Sequence, residues 1–535
     1  MDSRLTETYS TRGDTHGHSN GIPPPRFFPS VAPLIKTNNR MIDDSAKEEI
    51  QLNNLEREIS SFSSVHQSIN GNYRNVEKIM AAFNNLLADS SKSKKAVISD
   101  NNEVGVNHDV SSNLFESDIV LTVPQIKGIV LAEKEKMGRR RVKRKVITGG
   151  VYRWNEPSSI PYRLKSNDVK WKKQIMDGMK LWERETCLRF QENYGVDDHI
   201  VFYKGSGCFS SVGKTGGSQM ISIGDGCDSA GIIAHEIGHA LGFWHEQSRP
   251  DRDYYILIRR EFVASGADKN FLSSSYHEAD NMGLPYDYGS IMHYGPEAFS
   301  SRIGELTIET LKGRFESTIG QRVAPSFVDI KQMNRLYCNE RCRGMQLACR
   351  HGGYPDPNDC QSCKCPSGLT GPICNKIEQG CGSELRAGRH WKEITHNGKG
   401  DCVWRIKTDN AKIRIRLSRV NFECKRTCGN YVEIKSGTDW QQTGFRTCCN
   451  EEWSVLSEAE ELLILVKSNS DRMRSMRIEY VRERENEFVA EIDMGRELDA
   501  PSIKSWVSGQ ENRSFRPVDN GSADTFILNS IAGIP

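Results

Sequence analysis

Apolar residues recur at helical spacing in two stretches between Ser45 and about Asp89. Asn70-Gly71-Asn72 separates the stretches, and this combination of residues favours a turn. The pattern therefore predicts two amphipathic helices over 45–89, whose apolar positions are Leu52, Leu55, Ile59 and Phe62, then Val76, Ile79, Met80, Phe83, Leu86 and Leu87. The residues before them are rich in Ser, Pro, Asn and Gly, which predicts a disordered start to the chain.

Residues 145–338 have a mixed pattern that predicts an α+β domain of ordinary size. The stretches VYRWNEPSSIPYRL and HIVFYKG predict strands, and the Gly-rich SSVGKTGGSQMISIGDGC predicts strands joined by turns. A long helix is expected over Asn167–Leu188, with one apolar side formed by Val169, Ile175, Met179 and Trp182. Another helix should begin near Ser229, because Asp228 and Ser229 form a suitable N-cap region.

The pattern changes to strict alternation between Cys381 and about Val481. Six alternating stretches separated by turn residues predict an all-β sandwich of about 100 residues: WKEI, CVWRIKT, KIRIRLSRV, YVEIKSG, LLILVKS and MRIEYV. Residues 339–375 have too few apolar side chains for a core, so their six cysteines are expected to hold a small module together by disulfides. A zinc ribbon is the alternative, although only Cys360-x2-Cys363 has the spacing for it.

Composition limits the location and the partners of the protein. Lys and Arg total 72 against 70 for Asp and Glu, which argues against nucleic acid or an anionic membrane as the main partner. The sequence contains no run of about 18 apolar residues, so a membrane span is not expected. The sixteen cysteines all lie between Cys187 and Cys449, an arrangement that suits disulfides in a secreted, extracellular protein. A cytosolic protein is the alternative, since no signal peptide is visible in MDSRLTETYSTRGDTHGHSNG and the start is interpreted as an alternative or incomplete form.

The stretch HEIGHALGFWHEQSRPDRD, which begins at His235, has the residue types and spacing of a zinc site. On a helix, His235 and His239 project from one face and can bind one metal ion. Gly242 allows the chain to leave the helix, and His245 then returns as a third ligand. Glu236 is placed beside the metal as a base. Three neutral ligands leave a position open, as a catalytic zinc requires, whereas two incidental histidines on an amphipathic helix would not account for the whole pattern.

Two further stretches suggest functional roles. Arg139-Arg-Arg-Val-Lys-Arg144 matches the recognition pattern of furin-like convertases, so cleavage after Arg144 would make residues 1–144 a propeptide. A solvated basic face or a nuclear signal is the alternative. The polar tail 482–535 contains the glycosylation sequons Asn512-Arg-Ser and Asn520-Gly-Ser.

The zinc stretch together with Ser290-Ile-Met-His-Tyr294 resembles the astacin family of metzincin zinc endopeptidases. The resemblance extends from about Phe115 to Val481, and the order of the regions is similar to that of the nematode astacins. It implies a helical and disordered propeptide (1–144), a metzincin catalytic domain (145–338), an EGF-like module (339–375), a CUB domain (381–481) and a polar tail (482–535).

The resemblance also implies roles for the residues of the zinc stretch. It makes His235, His239 and His245 the ligands of one zinc ion and Glu236 the general base. Met292 becomes the residue that lies under the metal.

The resemblance also implies which residues block the zinc site and which take part in its activation. Tyr294 matches a tyrosine that ligates zinc in the resting enzyme and then hydrogen-bonds the oxyanion. Phe115-Glu-Ser-Asp118 matches the propeptide motif whose aspartate blocks the zinc, although the family usually has glycine where Ser117 stands. After cleavage, the new amino terminus at Lys145 would be buried against Glu246.

The resemblance finally implies disulfides and partners. The expected pairs are Cys187 with Cys338, Cys208 with Cys227, and Cys381 with Cys402, while the other pairings stay open. Calcium binding by the CUB domain is not expected, because Asn430 stands where an aspartate is usual. The implied function is a secreted zinc endopeptidase, activated by a furin-like convertase, that cleaves extracellular matrix or cuticle proteins in moulting or hatching. The alternative is an inactive extracellular protein that binds through its CUB and EGF-like modules.

Overall fold

The structure, a computed structural model, describes residues 96, 102–129, 152–273, 281–468 and 473–483. These residues all fall within one unit, Glu48–Pro535. The helices predicted over 45–89, the basic run 139–144, Lys145 and the sequons at Asn512 and Asn520 lie outside the described residues. Among the described residues, no helix combines the length and apolar character that a membrane crossing needs.

The first half of the described chain is an α+β domain, as predicted. Its sheet has the strand order β2-β1-β3-β5-β4, and its strands are parallel except for β4, which is antiparallel to β5. The elements are β1 Ile160–Leu164, α1 Val169–Glu183, β2 Phe190–Glu192, β3 His199–Tyr203, β4 Cys208–Phe209, β5 Ser218–Ile223, α2 Ala230–Ala240, β6 Ile256–Ile258, β7 Ile308–Thr310 and α3 Phe327–Tyr337.

Helix α1 is shorter than predicted, and its buried face differs at one position. Val169 is 80% exposed, and Trp171 lies on the buried face instead. Six helical residues rotate by about 240° beyond a full turn, so Val169 points away from Ile175. The helix ends before Leu188 because the Thr186 hydroxyl donates to the carbonyl of Trp182 (2.7 Å) and accepts from the amide of Leu188 (3.2 Å). These side-chain bonds compete with the helical backbone pattern.

Helices α1 and α2 pack closely at Gly178. A Cβ atom added at Gly178 would lie 2.8 Å from the Cβ of Ile233 and 3.3 Å from the carbonyl oxygen of Ala230. Ile233 is fully buried, so it has little room to move. The absence of a side chain at Gly178 therefore sets how closely α2 approaches α1.

The Gly178→Ala substitution should destabilise the domain, although alanine favours a helix more than glycine does. The added methyl group would overpack the contact between the helices, and we expect a loss of about 1–3 kcal/mol in the free energy of unfolding. Calorimetric unfolding of the variant measures this loss. Lys180→Ala, at an exposed position of the same helix, is the matched control and should change the unfolding temperature little. Equal effects of the two substitutions would contradict the proposed close packing.

Eight disulfides pair all sixteen cysteines. In the α+β domain and at the start of the sandwich, the pairs are those implied by the resemblance: Cys187–Cys338, Cys208–Cys227 and Cys381–Cys402. The pairings left open are Cys342–Cys360, Cys349–Cys363, Cys365–Cys374, Cys424–Cys449 and Cys428–Cys448. Cys360 and Cys363 each belong to a disulfide, so the zinc ribbon alternative is wrong.

The second half of the described chain is β-structure. The disulfide-rich segment contains β8 Tyr354–Asp356, β9 Asp359–Lys364, β10 Leu369–Thr370 and β11 Lys376–Ile377. The sandwich contains β12 Glu384–Arg386, β13 Lys392–Gly398, β14 Cys402–Lys407, β15 Lys412–Asn421, β16 Tyr431–Lys435, β17 Phe445–Thr447, β18 Trp453–Leu456, β19 Glu461–Lys467 and β20 Arg474–Glu483.

The sandwich has two sheets, with the orders β12-β14-β19-β16-β17 and β13-β20-β15-β18. Alternation predicted the six longest strands of the sandwich. It missed β12, β17 and β18, which are only three or four residues long. Such short strands offer too few alternating positions to be recognised.

Candidate metal centre

Helix α2 places two of the predicted ligands on one face. It begins after Ser229, whose hydroxyl oxygen accepts a hydrogen bond from the amide of Ile232 at 3.1 Å, as an N-cap does. His235 and His239 are one turn apart and fully buried, with 3.1 Å between their Nε2 atoms. Gly242 has φ +112° and redirects the chain. His245 then returns to the same point, as predicted.

The Nδ1 atoms of the first two histidines hold the rings in position. The Nδ1 atom of His235 donates to the carbonyl of Ile291 (2.8 Å), and that of His239 donates to the carbonyl of Phe243 (2.8 Å). With the proton on Nδ1, each Nε2 atom presents a lone pair to the centre of the cluster. This tautomer is the one that binds a metal.

Asp118 completes the cluster. One of its carboxylate oxygens lies 3.3 Å from Nε2 of His235 and 3.1 Å from Nε2 of His245. The other lies 3.6 Å from Nε2 of His239. The four ligand atoms all lie within 4.8 Å of one another. Burial opposes ionisation of Asp118, but the surrounding imidazoles, His245 foremost, lower its pKa.

The four side chains fit one zinc ion. Zinc favours imidazole nitrogen and carboxylate oxygen in tetrahedral sets of four. One oxygen of Asp118 and both oxygens of Glu236 are buried without a hydrogen-bond partner among the described residues. Buried polar atoms of this kind require a partner, and a metal ion would supply one for Asp118. Burial, followed by the charge of Asp118, raises the pKa of Glu236.

Asp118 is presented by a tight loop with unusual backbone angles. Phe115 and Ile119 pair across the loop as an antiparallel bridge. Glu116 has φ +43° and Ser117 has φ +73°. Both values lie in the left-handed region that favours glycine, and the value at Ser117 accounts for the glycine that the family usually has at that position. The serine adopts the glycine-like conformation and still presents Asp118 to the histidines.

Glu116 makes a second set of contacts with the zinc stretch. One carboxylate oxygen lies 2.6 Å from Nδ1 of His245. The other accepts a hydrogen bond from the hydroxyl of Ser248 at 2.7 Å. Each of the three histidines thus has an oxygen partner for its Nδ1 atom, and for His245 this partner belongs to the loop.

The segment that contains Asp118 also pairs with Ser210, the residue that follows the edge strand β4. The amide of Ser210 donates to the carbonyl of Asp118 (2.9 Å), and the amide of Val120 donates to the carbonyl of Ser210 (2.8 Å). The side chain of Asn107 accepts from the amide of Cys208 at 2.8 Å. Backbone pairing therefore fixes the segment along the sheet beside the metal cluster.

An ion pair that sequence reasoning missed anchors the same segment. Glu103 is fully buried and lies against the guanidinium group of Arg322, with one Nε to oxygen distance of 2.8 Å. Arg322 also donates to the carbonyl of His293 at 2.9 Å. The two partners are 219 residues apart, so no local pattern could have identified the pair. Glu103–Arg322 is a second attachment point, separate from the metal ligands.

Met292, His293 and Tyr294 make different contacts near the metal cluster. Met292 is buried, and its sulfur lies 2.9 Å from the point where Gly238 would carry a Cβ atom. The hydroxyl of Tyr294 donates to the carbonyl of Glu116. Tyr294 therefore bonds the loop that carries Asp118, and Asp118 occupies the fourth place in the cluster. The ring of His293 is hydrogen-bonded to the hydroxyl of Tyr286 and is not part of the cluster formed by Asp118 and the three histidines.

Glu246 follows the third histidine and is also buried. One of its oxygens accepts from Arg249 (3.1 Å) and from the amide of Asp287 (2.8 Å). Burial raises its pKa to about 8, against the effect of Arg249. Lys145, its predicted partner, is outside the described residues.

The chain is similar in sequence to known proteins. The model of the astacin peptidase family matches residues 147–338. The zinc metalloproteinase nas-30 of Caenorhabditis elegans is 46% identical over 89% of this chain and 66% of its own length. The zinc metalloproteinase nas-26 of the same organism is 37% identical over 66% of this chain and 88% of its own length.

A solved structure also matches the chain. It is high choriolytic enzyme 1, a hatching enzyme zinc-protease from Oryzias latipes, which is 37% identical to this chain. The match covers 34% of this chain and 96% of the solved one, with a TM-score of 0.32. Against nas-30, the chain spans just under two thirds of the relative's length.

Proposed function

Because this chain belongs to the astacin family of zinc metallopeptidases, we propose that it is a secreted zinc endopeptidase made as an inactive precursor. The observation that carries the proposal is the convergence of Asp118 with three buried histidine Nε2 atoms. Three histidines suffice for a catalytic zinc, and the carboxylate takes the place that water needs. One cluster thus contains both the metal site and its block.

The chain's own residues have defined roles in peptide hydrolysis. His235, His239 and His245 would hold zinc, which when bound polarises a carbonyl group and makes water more acidic. Glu236 accepts the proton of the attacking water and transfers it to the leaving amine. Tyr294 donates a hydrogen bond to the oxyanion after Glu116 has left. Met292 packs against Gly238 of helix α2, which carries the first two histidines.

Activation follows from the position of the blocking segment. We propose that a furin-like convertase cleaves after Arg144, within the basic run 139–144. Residues 1–144 then act as a propeptide, and their departure removes Asp118. The freed Lys145 would pair with Glu246, whose buried carboxylate already accepts two hydrogen bonds. The oxidising environment that eight disulfides require supports secretion.

The remaining regions complete the proposed protein. Residues 145–338 are the catalytic domain, 339–375 an EGF-like module, 381–481 a CUB domain and 482–535 a polar tail with glycans on Asn512 and Asn520. We propose extracellular matrix or cuticle proteins as substrates, in moulting or hatching. The identity to zinc metalloproteinases supports protein substrates. The disulfides, which require an oxidising environment, support substrates outside the cell.

The test is hydrolysis of casein or gelatin by the full chain after convertase treatment. Activity should disappear with 1,10-phenanthroline and return when zinc is added. Uncleaved protein provides the control and should be inactive. Processed protein that contains zinc yet cleaves neither substrate would contradict the proposal and favour a binding protein that acts through its β-modules.

A further inference from the structure

The β-sandwich contacts the loop that contains Met292. We call residues 440–444 the sandwich loop and residues 286–294 the Met loop. Asp287 of the Met loop is fully buried. Its carboxylate accepts hydrogen bonds from the amide (2.9 Å) and the hydroxyl (3.1 Å) of Thr443. Gln442 donates to the carbonyl of Tyr286 at 2.7 Å.

The two loops also fit closely in shape. A Cβ atom added at Gly289 would lie 2.5 Å from the Cβ of Thr443. Real Cβ contacts are longer than this, so Thr443 occupies the space that glycine leaves. The Met loop and the sandwich loop are therefore packed directly against each other.

The hydrogen bonds of Asp287 are important because its carboxylate is buried. A buried carboxylate needs donors to offset its lost hydration. Thr443 supplies two of these donors, and the amide of Gly289, within the Met loop, supplies a third at 3.2 Å. One oxygen of Asp287 receives the Thr443 hydroxyl, and loss of that hydroxyl would remove this bond.

The Met loop transmits this restraint to the metal site by two routes. The amide of Asp287 donates to Glu246 (2.8 Å), and the amide of Glu246 donates to the carbonyl of Met292 (3.0 Å). The carbonyl of Ile291 accepts from Nδ1 of His235 (2.8 Å). Such outer partners fix the orientation of a metal-binding histidine.

We propose that Thr443, a residue of the β-sandwich, positions the catalytic centre through Asp287 and the Met loop. The sandwich is then a structural part of the catalytic unit, in addition to any binding role of its own. Thr443 touches neither substrate nor metal, so it is a positioning residue. The kinetic side of this inference rests on the proposed peptidase function, and the metal-binding side does not.

The test uses the processed full-length chain with Thr443→Val, which keeps the size of the side chain and removes the hydroxyl. We expect kcat to fall about tenfold with KM changed by less than about twofold. Zinc should transfer to a chelator about tenfold faster, because the partner of His235 is less firmly held. Thr443→Ser, which keeps the hydroxyl, should restore both values.

The matched control is Thr427→Val. The Thr427 hydroxyl also links the sandwich to the first domain, by donating at 2.9 Å to the carbonyl of Ile319, a residue outside the Met loop. It should leave kcat and zinc transfer unchanged. Equal effects of the two valine substitutions, or no effect of Thr443→Val on either readout, would overturn the inference. A wild-type chain without peptidase activity would sink the proposed function instead, while zinc transfer would still test Thr443.

Discussion

The processed Glu236→Gln variant should lose about 10²–10⁴-fold of its peptidase activity while keeping its zinc. Glutamine has nearly the same shape as glutamate but cannot accept the proton of the attacking water. Both oxygens of Glu236 are buried and lack hydrogen-bond partners among the described residues, so the neutral side chain fits the same space. The three histidines that bind zinc are unchanged. The loss should therefore fall on kcat.

Two measurements on the same sample test this expectation. Zinc per chain is determined by elemental analysis, and hydrolysis is followed with a fluorogenic peptide. Glu340→Gln makes the same chemical change at an exposed position and should behave as wild type. A Glu236→Gln variant that binds zinc and hydrolyses peptide normally would show that another group is the base.

The Asp118→Ala substitution should give activity to a chain that has not been cleaved. Asp118 lies against all three histidines, so its removal opens the fourth place in the cluster to water. In a background where Arg144→Ala prevents processing, we expect hydrolysis to rise about 10–100-fold above that of the parent. It should stay below that of the processed enzyme, because Glu103–Arg322 and the pairing with Ser210 still hold the segment in place.

The control for this gain is Asp109→Ala on the same segment. The side chain of Asp109 is 98% exposed, so its loss should leave the uncleaved chain inactive. Activity is measured with a short peptide substrate, which enters a partly covered site more easily than a protein does. An uncleaved Asp118→Ala chain that binds zinc and remains as inactive as the parent would assign the block to other contacts.

Local chemistry explains which parts of the site could be predicted from the sequence. His235 and His239 share a face because of helical geometry, and Ser229 caps the helix through its own side chain. Gly242 has the positive φ that its place after the helix requires. Each of these features depends on residues a few positions apart.

The contacts that could not be predicted join distant parts of the chain. Glu103 and Arg322 are 219 residues apart, and Asp287 and Thr443 are 156 apart. The residues next to Glu103 and Thr443 in the sequence form no recognisable motif. Packing of the folded domains brings these pairs together, and no periodic pattern encodes that packing. The exposed Val169 shows a different limit, since grouping apolar residues without checking their angle assigned it to the wrong face.

In the proposed activation, the bent loop at Glu116 and Ser117 would make release of the segment effectively one-way. Two consecutive non-glycine residues with positive φ cost about 1–2 kcal/mol each. While the segment is attached to the catalytic domain, its contacts at high local concentration outweigh that cost. Once cut free, the segment would have to rebuild the same loop from solution before it could rebind. The released segment would therefore be a poor inhibitor of the processed enzyme.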